Sequence, residues 1–213
     1  MQALHWHIAH PVAADATPRP AVFFDRDGVI TEEVGYLHRT EDVRFLPGAI
    51  ESIAQINRMG IPAVLVTNQS GIGRGLFSWA DYERVAFSVR EGLAAAGACL
   101  DGEWACGYYP SDPARFEPGA DRFRKPNPGM IQQAAETLAL SLRDSWLVGD
   151  KPSDIEAAIR AGLRGAVHVL SGHGAATRAE VAEVAILARQ KDSFCQIYLA
   201  DSIEDALSFL PRS

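Results

Sequence analysis

Two carboxylates, Asp25 and Asp27, directly follow a short apolar run in the stretch Ala21-Val22-Phe23-Phe24-Asp25-Arg26-Asp27-Gly28. The apolar run is typical of a buried strand, and the glycine allows the chain to turn away from it. Because ligands of open α/β sheets bind at the carboxyl ends of the strands, we expect chemistry at these two carboxylates. Taken alone, the same residues are as typical of a strand that ends in an acidic turn.

Polar and charged side chains also follow later apolar runs or lie in loops near them. Thr67 and Asn68 come after the run at 63–66, and Asp150 comes after the run at 146–149, with Asp154 four positions further on. Arg124 and Lys125 precede a predicted helix. Because the carboxyl ends of parallel strands meet at one edge of a sheet, we expect these groups to converge on Asp25 and Asp27.

Alternating strands and helices are predicted to position these groups. The predicted strands cover residues 21–24, 63–66, 103–109, 146–149, 166–170 and 197–200, and the predicted helices cover residues 48–59, 78–97, 128–140, 154–161, 181–188 and 203–210. Ser78 with Asp81 three residues later predicts a capping box at the start of one helix. This alternation predicts an α/β fold with a Rossmann-like parallel sheet and helices on both faces. The short insertions between strands leave room for only a minimal cap, so we expect short loops to close the site.

Composition limits the class of protein. The 213 residues are 47% apolar, which predicts one domain over residues 21–213, behind a flexible N-terminal arm at residues 1–20. A net charge of −7 without a basic cluster argues against a nucleic-acid partner, and no apolar run is long enough to span a membrane. Three scattered cysteines predict no disulfide framework and a reducing, cytoplasmic location. We also expect a monomer.

Taken together, the motifs resemble the haloacid dehalogenase superfamily of phosphatases. The matching elements are Asp-x-Asp-Gly at 25–28, Thr-Asn at 67–68, Lys125 before a helix, and Gly-Asp-x-x-x-Asp at 149–154. The resemblance covers roughly residues 21–174. It implies that the chain hydrolyses a small phosphorylated substrate with the help of Mg²⁺, through an aspartyl-phosphate intermediate.

The resemblance also implies a role for each of these residues. Asp25 is the expected nucleophile and Asp27 the expected acid and base, while Thr67 and Lys125 hold the phosphoryl group and balance its charge. Mg²⁺ prefers oxygen ligands, so we expect it on the carboxylates of Asp25 and Asp150 and on the main-chain carbonyl of Asp27. Asp154 is expected to orient a metal-bound water or Lys151. Thr67, Lys125 and Asp154 also have purely structural interpretations: a strand end, a solvated cation and a favourable helix N-terminus.

The sequence also contains Gly35-Tyr36, Gln69-Ser70-Gly71-Ile72, Arg74-Gly75 and Arg124-Lys125-Pro126-x-Pro128-Gly129-Met130. Within this superfamily, these stretches are most similar to the heptose bisphosphate phosphatase and histidinol-phosphate phosphatase families. By that resemblance, the residues expected to bind substrate are Arg26, Glu33, Gly35, Tyr36, Asn68, Gln69, Ser70, Arg74, Arg124 and Lys151. A heptose 1,7-bisphosphate is the first substrate that this implies. The alternatives are histidinol phosphate, a nucleotide or another phosphate monoester, and, in a different class, a non-catalytic protein that binds a phosphorylated ligand.

One part of the sequence departs from the family pattern. These families commonly carry Cys-x-His and a later Cys-x-Cys, whose four side chains form a structural zinc site. Here only the first of these ligands is present, as Cys106. The other three positions are occupied by Tyr108, Asp121 and Phe123. One thiol cannot form a four-ligand zinc site. We therefore expect no structural zinc and a loop ordered by aromatic packing. Because this loop leads into Arg124, the departure leaves the identity of the substrate open.

Overall fold

A seven-stranded sheet organises the protein, whose structure, a computed structural model, describes residues 1–9, 11–13, 15–191 and 193–210. The strands are β1 (Leu4–Ile8), β2 (Val22–Phe24), β3 (Ala63–Asn68), β4 (Gly102–Cys106), β5 (Trp146–Gly149), β6 (Gly165–His168) and β7 (Gln196–Leu199). They lie in the order β1-β4-β3-β2-β5-β6-β7. All neighbouring pairs are parallel except β1 with β4, which confirms the predicted α/β fold with a largely parallel sheet.

Seven α-helices accompany the sheet in the described part of the chain. They are α1 (Ala49–Arg58), α2 (Ser70–Gly73), α3 (Trp79–Ala95), α4 (Gly129–Leu138), α5 (Pro152–Ala161), α6 (Gly174–Gln190) and α7 (Ile203–Ala206). The predicted capping box starts α3: the Asp81 carboxylate accepts from the Ser78 N–H at 2.7 Å, and the Ser78 hydroxyl accepts from the Asp81 N–H at 3.2 Å. The short helix α2 was not predicted, because two of its four residues are glycines with low helix propensity.

Side chains on β2 alternate between two apolar layers, as the period of a strand requires. Val22 and Phe24 pack with α1, α3 and α7 on one face of the sheet, whereas Phe23 packs with α4, α5 and α6 on the other. All three side chains are fully buried. Helices therefore cover both faces, which explains why this strand is a continuous apolar run rather than an alternating one.

Residues 4–8 correct the prediction of a flexible arm, because they form the edge strand β1. This strand pairs antiparallel with β4, from Leu4 opposite Cys106 to Ile8 opposite Gly102, and Leu4 packs into the same layer as Phe23. The arm was inferred from the composition of residues 1–20 as a whole, which are rich in alanine and proline. Pairing with β4 orders residues 4–8, in which apolar residues alternate with histidines. No local pattern in the sequence indicates such a distant partner.

The carboxyl ends of the central strands remain accessible. The chain between β2 and β3 forms only a flap at residues 31–46, which is irregular except for one 3₁₀ turn at Thr40–Asp42, and α1. The chain between β3 and β4 forms only α2 and α3. These two connections contain no separate lid domain, in agreement with the predicted minimal cap. Within the described ranges, no helix is long and apolar enough to cross a membrane.

Candidate active site

A cavity of about 440 Å³ opens at the carboxyl ends of β2, β3 and β5. The structure brings most of the predicted site residues to its wall: Asp25, Asp27, Glu33, Gly35, Tyr36, Thr67, Asn68, Gln69, Ser70, Arg124, Lys125 and Lys151. Arg26, Arg74, Asp150 and Asp154 do not belong to this lining. Arg26 and Arg74 therefore need an interpretation other than substrate binding. Asp150 and Asp154 lie behind the cavity wall.

Lys125 is a buried cation that joins two carboxylates. Its Nζ lies 3.0 Å from Asp25 Oδ1 and 2.6 Å from Asp154 Oδ1, and it donates to the carbonyl of Val66 at 2.7 Å. Burial lowers the pKa of Lys125, but the charges of Asp154 and Asp25 outweigh that effect and raise it above its usual value. Lys125 is therefore a permanent positive charge beside Asp25.

Asp25 is held in its ionised form. Burial favours the neutral carboxyl, but the charges of Lys125 and Lys151 and the Arg26 backbone N–H, which donates to Asp25 Oδ1 at 2.8 Å, together lower its pKa. A carboxylate attacks as a nucleophile only when it is ionised. The surroundings of Asp25 therefore favour the state that nucleophilic attack requires.

Asp27 is fixed in orientation by two neighbours. The Nε and Nη2 atoms of Arg26 donate to its two oxygens at 3.0 Å each, and Gln69 Nε2 donates to Asp27 Oδ2 at 2.9 Å. The side chain of Arg26 is 1% exposed, and its guanidinium lies over the ring of Tyr82 at 5.4 Å. The expectation that Arg26 binds substrate is thus corrected: the charge is used inside the protein, where it orients Asp27.

The end of β3 fixes the loop that carries Lys125. The side-chain amide of Asn68 accepts from the Lys125 N–H and donates to the Lys125 carbonyl, both at 3.0 Å. Next to it, the Thr67 hydroxyl accepts from Gln69 Nε2 at 2.9 Å. Thr67 and Asn68 therefore lie at the cavity as predicted, and Asn68 has a second role, which is to hold the backbone of Lys125.

Asp154 supports Lys125 more directly than it supports the side chain of Lys151. One oxygen faces Lys125 Nζ, and the other accepts from the backbone N–H of Lys151 at 3.0 Å. Both oxygens of this fully buried carboxylate are therefore engaged within the protein. This contact with Lys125 was not predicted, because Asp154 lies in the first turn of α5 and Lys125 in the loop before α4, 29 positions earlier in the sequence.

Asp150 supplies the oxygen that fits a metal ion. Its Oδ2 accepts from the His173 N–H at 2.8 Å, while its buried Oδ1 has no hydrogen-bond partner among the described residues. Burial and the nearby charge of Asp25 raise the pKa of Asp150 to about 7. Carboxylate oxygens of Asp25, Asp150 and Asp154 lie within 4.8 Å of one another. A buried carboxylate oxygen without a hydrogen bond is costly, and this oxygen-rich set suits a hard cation such as Mg²⁺.

His173 is a cavity residue that the sequence analysis missed. Its Nε2 lies 3.1 Å from Glu33 Oε2, and Lys151 Nζ lies 3.1 Å from the same oxygen. These three side chains join the flap to the loops after β5 and β6. The sequence does contain a signal for such a residue, because His173 follows the predicted strand at 166–170 after only Ser171 and Gly172.

Arg74 lies outside the cavity and stacks on aromatic rings. Its guanidinium is 4.6 Å from the ring centre of Tyr109 and 5.9 Å from that of Tyr36. The structure thus does not place Arg74 on the substrate, in contrast to the expectation. Arg74 instead links the flap to the segment that follows β4, and of the two aromatic residues only Tyr36 reaches the cavity wall.

The segment after β4 shows the predicted aromatic packing. The rings of Tyr108 and Phe116 lie 5.0 Å apart, and both pack with Ala120. Arg124 Nη1 donates to the carbonyl of Tyr108 at 3.2 Å. Burial raises the pKa of the Cys106 thiol to about 11, which disfavours the thiolate that a zinc site uses. That the protein carries no structural zinc stays a prediction.

Comparisons with known families agree with this geometry. A family model described as haloacid dehalogenase-like hydrolase matches residues 32–162, and a second model, described as HAD-hydrolase-like, matches residues 122–205. Between them, the two matches include Asn68, Arg124, Lys125 and Asp150.

Individual relatives are similar over most of their length. The chain is 38% identical to a D-glycero-beta-D-manno-heptose-1,7-bisphosphate 7-phosphatase of Photorhabdus laumondii over 76% of this chain and 87% of the relative. It is 42% identical to a D-glycero-alpha-D-manno-heptose-1,7-bisphosphate 7-phosphatase of Burkholderia mallei over 67% of this chain and 76% of the relative. The crystal structure of the D,D-heptose 1,7-bisphosphate phosphatase from B. bronchiseptica, complexed with magnesium and phosphate, has a TM-score of 0.75 at 26% identity and covers 89% of this chain and 97% of that one.

Proposed function

The chain belongs to the haloacid dehalogenase-like hydrolases and is a phosphatase, and we propose that it removes the 7-phosphate of a D-glycero-D-manno-heptose 1,7-bisphosphate. The observation that carries this proposal is the ionised Asp25 beside the buried Lys125, at 3.0 Å, in a cavity that Arg124 and Lys151 also line. Arg124 and Lys151 are two cations in addition to Lys125, and two such charges suit a substrate that carries a second phosphate. The names of the relatives include both anomers, so we assign no anomer.

Asp25 acts as the nucleophile in the proposed reaction. One of its oxygens attacks the phosphorus, the bond from phosphorus to the sugar oxygen breaks, and an aspartyl phosphate forms on Asp25. Asp27 gives its proton to the leaving sugar oxygen and later takes a proton from the water that hydrolyses the intermediate. Arg26 and Gln69 orient Asp27 for both transfers.

The positive charges of the site oppose the repulsion between a phosphate dianion and an attacking carboxylate. Lys125 contributes a charge that is already desolvated and in place. We propose that Asp25, Asp150 and the main-chain carbonyl of Asp27 would hold Mg²⁺, which when bound neutralises negative charge on the phosphoryl oxygens. Thr67 and the backbone of Asn68 would bind the remaining oxygens.

We further propose that residues 21–213 work as one domain together with β1, which belongs to the same sheet, and that the enzyme acts as a monomer in the cytoplasm. All three cysteines, Cys99, Cys106 and Cys195, are free thiols. Free thiols support a reducing compartment. Size-exclusion chromatography with light scattering tests the monomer directly.

A phosphate-release screen tests the substrate. Both anomers of the heptose 1,7-bisphosphate, histidinol phosphate, nucleoside monophosphates and p-nitrophenyl phosphate are compared by kcat/KM with Mg²⁺ present. We expect a heptose bisphosphate to be the best substrate. Turnover of a nucleotide or histidinol phosphate, without turnover of any sugar phosphate, would contradict the sugar assignment but not the phosphatase activity.

Removal of the metal is expected to abolish this activity, because the phosphoryl oxygens would lose the positive charge that a cation on Asp25 and Asp150 would supply against the attacking carboxylate. We expect chelation with EDTA to remove turnover of p-nitrophenyl phosphate and Mg²⁺ to restore it. Elemental analysis of the purified protein is expected to find no stoichiometric zinc. Full activity in the presence of chelator, or one tightly held zinc per chain, would contradict this prediction.

Arg124→Ala is expected to affect a bisphosphate much more than a minimal ester. A charge-assisted contact of about 1.5–3 kcal/mol corresponds to a loss of roughly ten- to a hundredfold in kcat/KM on the heptose bisphosphate. The loss on p-nitrophenyl phosphate, which has no second phosphate, is expected to be within about threefold. Arg122→Ala is the matched control, because Arg122 is exposed and lies outside the cavity lining. Equal losses on both substrates would mean that Arg124 serves the transferred phosphoryl group.

A further inference from the structure

The segment at residues 107–123 connects β4 to Arg124 with little regular structure of its own. It contains two short 3₁₀ turns, Pro113–Arg115 and Ala120–Phe123, and is otherwise irregular. Helix or sheet hydrogen bonds therefore hold only a small part of it. Its position, and with it the position of Arg124, depends on the neighbours against which it packs.

Residues 2 and 3 supply some of these neighbours. The Gly107 N–H donates to the carbonyl of Ala3 at 2.7 Å. Ala3 is fully buried and packs in one apolar cluster with Phe116 and Ala120 of the segment. On the other side, the Trp79 indole N–H donates to the carbonyl of Gln2 at 3.2 Å. The residues before β1 thus contact the start and the middle of the segment at once.

The contact with Ala3 lies next to the contact with Arg124. Gly107 is followed by Tyr108, whose carbonyl accepts from Arg124 Nη1 at 3.2 Å and whose ring packs on Phe116. A displacement of Gly107 would therefore move the acceptor that orients Arg124. There is little room for compensation, because a Cβ on Gly107 would already lie 2.9 Å from Trp79.

We propose that residues 2 and 3, anchored to the sheet by β1, form an N-terminal brace that positions Arg124 and thereby sets the affinity for the second phosphate of the substrate. The effect on affinity rests on the proposed function, since it requires Arg124 to bind that phosphate. Asp25 and Lys125 are held by other contacts, to Asp154, Val66 and Asn68. The brace is thus a positioning element that leaves the reacting groups in place.

A substitution at Ala3 tests the brace by its effect on two substrates. Ala3→Glu places a charged side chain in a fully buried contact, and we expect KM for the heptose bisphosphate to rise about tenfold. The kcat and KM for p-nitrophenyl phosphate are expected to change less than about twofold. Ala3→Ser, which nearly preserves size, and Trp6→Ala, three residues later on β1 and 46% exposed, are the controls and should resemble the wild type.

Limited proteolysis gives a second result that does not depend on any substrate. Arg115 and Arg122 are exposed trypsin sites within the segment, and we expect Ala3→Glu to be cut there at least about fivefold faster than the wild type or Trp6→Ala. If Ala3→Glu does not fold, deletion of residues 1–3 removes the same contacts and leaves β1 paired with β4. That variant should show the same changes.

The outcomes separate the brace from the proposed function. A wild-type enzyme that does not hydrolyse the heptose bisphosphate would contradict the proposed function, and the affinity claim with it. Trypsin cleavage would then decide whether the brace orders the segment. A folded variant with wild-type cleavage rates would overturn the proposal, as would equal kinetic losses on both substrates.

Discussion

Asp25→Asn is expected to fold normally and to lose at least about 99.9% of its turnover, which corresponds to roughly 4 kcal/mol in the activation barrier. Asparagine has the shape of aspartate but is a poor nucleophile. The variant keeps an oxygen that can accept from the Arg26 N–H, and Lys125 keeps its ion pair with Asp154 at 2.6 Å. The measurements are kcat on p-nitrophenyl phosphate with Mg²⁺ and the midpoint of thermal unfolding.

Asp144→Asn is a matched control for the loss of one carboxylate. Asp144 is exposed and lies far from the cavity lining, with its side chain accepting from the Ser141 hydroxyl at 2.5 Å. We expect this variant to keep wild-type turnover. If Asp25→Asn kept even a tenth of the wild-type rate, covalent catalysis by Asp25 would be incorrect.

Lys125→Met is expected to have the largest effect on stability, about 3–5 kcal/mol in the free energy of unfolding. Methionine nearly fills the volume of the lysine side chain, but it leaves Asp25 and Asp154 buried next to each other without a cation. The Val66 carbonyl also loses its donor. Urea denaturation measures the loss, and we expect activity to fall below detection in the same variant.

The pH dependence of Lys125→Met follows from the same charges. In the wild type, the lowered pKa of Asp25 contributes stability that is present above the pKa of the unfolded carboxyl, about 3.9, and is lost as the pH falls through the lower folded pKa. Without Lys125, that contribution disappears. The difference in stability between the two proteins should therefore be largest near neutral pH and shrink below about pH 4.

Two variants make this interpretation specific. Adding Asp154→Asn to Lys125→Met removes one of the unpaired charges and is expected to restore part of the lost stability. Lys151→Met is the control, since its side chain is 32% exposed and solvent can replace its contacts. A loss for Lys151→Met as large as that for Lys125→Met would mean that burial of the cation is not the cause.

The positions of the site residues could be predicted where they follow from local sequence. Asp25, Thr67 and Asp150 each come directly after an apolar run of the sequence, and Asp27 follows Asp25 by two positions. The sheet topology then brings such positions to one edge. For the same reason, the alternation of apolar runs and helices was enough to predict the parallel sheet.

The parts that were not predicted depend on contacts between distant residues. The sequence predicts that Arg26 binds substrate. In the structure, its guanidinium lies over the ring of Tyr82 on α3, inside the protein. Asp154, in the first turn of α5, pairs with Lys125, and β1 becomes ordered only against β4. A single sequence contains no local signal for any of these pairings.

The pairing of β1 with β4 also has a consequence during protein synthesis. Leu4, on β1, lies opposite Cys106, on β4. The ribosome must therefore add about 100 residues after Leu4 before β4 is complete. At about 5–20 residues per second, this takes roughly 5–20 s, and the exit tunnel adds a further delay. During that time the apolar side chains of the strand are available to nascent-chain chaperones. β1 therefore cannot join the sheet until β4 has been made, whereas β2 and β3 are complete and able to pair with each other well before that.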